Sequence, residues 1–75
     1  MNDKEFEETH MAHSEAVSSG NYEEALRLNK LLYEGVYERY TKTADTTTKQ
    51  LFRDLLFMLL QSEDYLKTRN RKWLK

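Results

Sequence analysis

The chain has 75 residues, about half the length of a typical domain, with 12 basic against 13 acidic side chains and a formal net charge of −1. It contains no Cys and no Pro, which excludes a disulfide scaffold and a Cys-based zinc site. No apolar run approaches the roughly 20 residues that cross a bilayer, and the start MNDKEFEE is unlike a signal peptide.

A single all-α domain over residues 1–75 is expected, cytoplasmic and without membrane association. The absence of Pro and the weight of Glu, Leu, Lys, Arg, Ala and Met favour helix throughout. Asn2 or Asp3 caps a first helix, on which Phe6, His10, His13 and Val17 share one face beside Thr9 and Ala16. Ser18-Ser19-Gly20 ends it, Gly20 supplying a left-handed C-cap. Asn21 starts the second helix at once, with acidic Glu24 three residues on, close to a capping box. So short a link forces an antiparallel hairpin, about residues 3–41.

On the second helix Ala25, Leu28, Leu32 and Val36 form one apolar stripe, with Tyr22, Leu26, Tyr33, Tyr37 and Tyr40 beside it. The segment Thr41–Thr48 breaks the pattern, and Asp45 caps a third helix of nearly 30 residues, about 40 Å long. Leu51, Leu55, Leu59, Ser62, Leu66 and Trp73 define its expected inner face, with Phe52, Met58 and Tyr65 at the edges. The result is a three-helix bundle.

Leu55-Leu56-Phe57-Met58-Leu59-Leu60 is more apolar than a helix covered on one side requires. A helix that is apolar all round is buried all round. Leu56, Phe57 and Leu60 are therefore expected in an intermolecular contact, with Arg53 and Asp64 pairing across an antiparallel two-fold axis. The fold is small enough to need such help, since a domain of this length buries only about 60% of its unfolded surface. Tyr33 and Tyr37 suit the same interface, although packing against the third helix accounts for them equally.

Charge divides along the chain. Residues 1–38 hold three basic and nine acidic side chains, and residues 39–75 hold nine basic and four acidic. Lys67, Arg69, Arg71, Lys72 and Trp73 combine cations with an aromatic, which suits a nucleic-acid backbone and gives the alternative reading, a nucleic-acid-binding protein. Cations at a helix C-terminus also follow from the helix dipole alone.

Metal or catalytic chemistry finds little support. Glu7-x-x-His10 matches half of a di-iron helix motif, but His10 and His13 are the sole histidines. Gly20 and Gly35 stand apart, so no phosphate loop exists, and the serines lack an acid–base partner. A non-enzymatic protein without cofactor or metal is expected.

Ala16-Val-Ser-Ser-Gly-Asn-Tyr-Glu-Glu-Ala-Leu26 resembles the turn between the two helices of a tetratricopeptide repeat. From Ala16 to Leu74 the chain is also similar to flagellar export chaperones of the FliT type. The order of Leu55-Leu56, Leu59-Leu60, Glu63-Asp64, Leu66, Arg69 and Leu74 follows their long helix. That resemblance implies a non-enzymatic chaperone or adaptor that holds helical segments of another protein. The expected function is protein–protein interaction through an apolar helix face, with a protein partner and a homo-oligomer, most simply a homodimer.

Overall fold

Asn2, Asn21 and Asp45 each start a helix. The computed structural model describes residues 1–74, with side chains through Arg69. It has three helices, α1 (Asp3–Ser18), α2 (Tyr22–Lys42) and α3 (Thr46–Leu74), and 88% of the chain is helical. The expected all-α, three-helix architecture is what forms.

The caps show why. Asn2 Oδ1 accepts the Glu5 N–H at 2.8 Å while Glu5 Oε1 accepts the Asn2 N–H at 3.2 Å, a complete capping box. Asn21 Oδ1 accepts the Glu24 N–H at 3.4 Å. Asp45 Oδ2 accepts both the Thr48 hydroxyl at 2.7 Å and the Thr48 N–H at 2.9 Å, and these bonds hold its carboxyl below the ordinary value. Between α1 and α2, Gly20 takes φ +78°. Its N–H donates to Val17 O at 3.2 Å, and the Asn21 N–H donates to Ala16 O at 2.9 Å. This is a Schellman turn, which needs the left-handed residue that only Gly supplies without strain.

Both links are short, so α2 lies antiparallel to each neighbour and forms the centre of the bundle. Its stripe of Ala25, Leu28, Leu32 and Val36 is buried as the periodicity requires. Each fully buried Leu or Val contributes about 1.5–3 kcal/mol relative to exposure. Among the described residues the backbones of α1 and α3 stay more than 8 Å apart. Ala16, Ala25, Leu28 and Leu66 close the bundle at the Gly20 end.

The inner face of α3 differs from the expected one. Leu56 and Leu66 are buried and Phe52 and Leu59 half-buried, whereas Leu51, Leu55, Met58 and Tyr65 are exposed. The buried arc is turned by roughly 60° at 100° per residue. The reason is that α3 packs on α2 rather than into a seam between two helices. Leu56, expected on the outer patch, is thus a core residue at 8% exposure. Trp73 lies outside the residues whose side chains are described.

The far end of α1 is fastened differently. Gly35 is buried, and a Cβ added there would stand 3.3 Å from Phe6 Cδ2, so the missing side chain lets Phe6 lie on α2. Arg39 covers the same ring at 4.7 Å from its centroid and donates to Asp3 Oδ1 at 2.7 Å. The molecule is elongated, 46 × 22 × 15 Å, with a radius of gyration of 13.3 Å; roughly 11 Å is typical of a compact chain this long.

Candidate functional site

Separation of α1 from α3 leaves a groove between them. One wall is Phe6, Glu7, His10 and His13 of α1, and the other is Leu55, Met58, Leu59 and Ser62 of α3. Leu32 and Val36 of α2 form the floor, and the open trough has a volume of about 470 Å³. Phe6 to His13, like Leu55 to Ser62, covers two helical turns, a length of about 10 Å. Leu55 and Met58 are 41% and 61% exposed in this wall, and Leu51 and Tyr65 extend the same stripe at 59% and 52%.

A buried polar contact lies behind the groove. Asn29 is 1% exposed and donates through Nδ2 to Leu59 O at 3.0 Å, tying α2 to α3. Among the described residues, Asn29 Oδ1 and His13 Nε2 are the buried side-chain polar atoms without a hydrogen-bond partner. Burial lowers the His13 pKa from 6.5, nearby His10 lowers it further, and the adjacent Asn29 side chain opposes the change. Asn29 is therefore close enough to be felt, though outside hydrogen-bond geometry. Among the described residues no three His, Asp or Glu side chains come together in a way that could hold a metal ion.

On the opposite flank of α3, Phe57 and Leu60 are 62% and 49% exposed, with exposed Arg53 and Asp64 beside them. Neither Arg53 nor Asp64 makes an ion pair with another described residue. Tyr33 and Leu60 share a shallow hollow with Lys30, Glu63 and Lys67. Tyr33 stacks on Tyr37 with centroids 6.4 Å apart and planes at 11°, and Tyr37 meets Tyr40 at the same distance. Tyr33 and Tyr40 are half-buried edges of the α2–α3 contact, while Tyr37 is 52% exposed. The tyrosine flank is core edge at two positions and surface at the third.

The basic end is partly committed to its own surroundings. Lys67 pairs with Glu63 at 2.8 Å, and the Arg69 guanidinium lies 5.9 Å and 5.4 Å from the Tyr22 and Tyr65 ring centroids. Arg71, Lys72 and Trp73 lie outside the residues whose side chains are described. No described helix is long and apolar enough to cross a membrane.

Two site-forming residues escaped the sequence reading. Asn29 sits within the apolar stripe of the second helix, and a polar residue at such a register is the signal that was there to find. Gly35 carried a similar hint, a helix-breaking residue inside a strong helix. No family model, no curated protein and no solved structure matches the chain.

Proposed function

We propose that this chain is a non-enzymatic protein-interaction module whose groove between α1 and α3 receives an amphipathic helix of another protein. The observation that carries the reading is the groove itself: an apolar α3 wall and a mixed α1 wall, where Phe6 stands among Glu7, His10 and His13, held apart over an apolar floor, with Leu55 and Met58 left in water. Helix-in-groove recognition needs such a trough, and two turns of length accept anchors at i, i+3 or i+4, and i+7. The activity matches what the FliT-type resemblance implies, namely holding a helical segment of a client. His10, Glu7 and Ser62 add polar groups at the walls that would orient the guest.

Photo-crosslinking tests the reading. A photoreactive phenylalanine at Met58 should form adducts with protein in an extract of the native host, and one at the solvent-facing Glu15 should not. Equal labelling at the two positions, or none at Met58, overturns it. Nuclease-sensitive adducts would move the function to the basic end of α3 and the nucleic-acid reading.

A further inference from the structure

The flank of α3 turned away from the groove carries a self-complementary pattern. Arg53, Phe57, Leu60 and Asp64 fall within an arc of about 60° at 100° per residue, and all four are exposed. Their spacing is four, three and four residues, which reads the same from either end. The chemistry reverses from end to end: a cation first, two apolar residues between, an anion last. Laid on a second α3 running the opposite way, Phe57 meets the partner's Leu60 and Arg53 meets the partner's Asp64. Each pairing occurs twice. A parallel arrangement would set Arg53 on the partner's Arg53 and Asp64 on the partner's Asp64, which repel.

We propose that a second copy of this chain docks on this flank, forming an isologous antiparallel dimer with α3 against α3. The whole chain, its groove included, is also rich in exposed surface. The chain exposes 5812 Å² for a mass of 9.0 kDa, about 900 Å² more than the roughly 4,900 Å² of a typical folded monomer that size. A standard interface covers about 800 Å² on each partner. Tyr33 lies beside Leu60 on the same side, adding an aromatic edge to the seam. The site is separate from the groove, so dimerisation and capture of a guest helix are independent.

Sedimentation equilibrium of the full chain tests this. Wild type should run at twice 9.0 kDa, and Phe57→Glu should weaken the dimer at least ~30-fold, as for a central hot spot. Because Phe57 is exposed, the variant keeps its helical circular dichroism. Arg53→Asp and Asp64→Arg should each weaken association about 10-fold, and the double variant should restore it, since the pair re-forms with signs exchanged. Met58→Glu, on the groove side, should leave the dimer unchanged. A wild type that stays at 9.0 kDa, a dimer indifferent to Phe57→Glu, or a double variant weaker than both singles overturns the proposal. A monomer that still crosslinks to protein through Met58 would end this inference while leaving the groove reading intact.

Discussion

The two exposed flanks of α3 are alike in composition and different in shape. One holds Leu51, Leu55 and Met58, and the other Phe57 and Leu60. The first looks across a trough at α1, with Leu32 and Val36 beneath. The second borders only a shallow hollow, where Leu60 meets Tyr33, and charged Arg53 and Asp64 bound its apolar centre. A concave apolar wall suits a guest that brings its own apolar face. An exposed strip with opposite charges at its ends suits a copy of itself. Exposure alone would have ranked the two flanks together, since Met58 and Phe57 differ by one percentage point, 61% against 62%.

The sharpest way to separate the flanks is a pair of charge insertions. Met58→Glu should abolish capture of protein at the groove, a loss of at least ~2 kcal/mol in binding if the residue is an anchor. Phe57→Glu should leave capture in place. Crosslinking yield at Leu55 in each variant reads the difference, and equal loss in both would merge the two sites into one.

Gly35→Leu attacks the groove from behind. The new side chain would collide with Phe6, which already stands 3.3 Å from the Cβ position. Overpacking of this kind costs about 1–3 kcal/mol and should lift the start of α1 from α2, removing one wall. Thermal melting and groove crosslinking should both fall, while dimerisation through α3 persists.

Asn29 offers a smaller effect with an informative sign. Leu59 O keeps its place in the α3 backbone ladder, so Asn29→Leu should change stability by only about 1 kcal/mol or less. Asn29→Ala, which leaves a gap as well, should cost more. Denaturant midpoints of the two variants give the comparison, and a large loss with Leu would show that the Asn29–Leu59 bond fixes how α3 sits.

The smallest effect concerns pH. His13 has its pKa lowered below 6.5 in the fold, so the native state resists a proton that the unfolded chain accepts. His13 therefore contributes its full stability above pH ~6.5, and that contribution shrinks as the pH falls toward the folded value. The melting temperature should be lower at pH 5 than at pH 7.5, and His13→Gln should flatten that part of the profile.

Helix ends were legible because capping is local chemistry. Gly20, Asn21 and Asp45 act through atoms within a few residues, and the structure puts the breaks where those residues stand. The stripe of α2 was legible for a related reason: Ala25, Leu28, Leu32 and Val36 recur at the 3.6-residue period with no competing apolar run beside them. The face of α3 was not. With six consecutive apolar residues, Leu55 and Leu56 are interchangeable by periodicity, and what separates them is how many helices α3 touches. That is a tertiary fact, and it moved Leu56 inside and Leu55 into the groove wall. The outer flank lost Leu56 in this shift and kept Phe57 and Leu60, which stay 62% and 49% exposed.

The first turns of α1 rest on α2 alone, through Phe6 over Gly35 and Asp3 on Arg39. Free energy in such an arrangement is shared between sequence neighbours, as in a stack of repeats, with no third surface to bind the ends together. Opening the N-terminal half of α1 therefore breaks one interface and leaves the α2–α3 pair whole. In amide-exchange terms two cooperative units are expected, with α1, which carries a wall of the groove, the less protected one. A local opening of α1 would widen the trough and leave α3 folded.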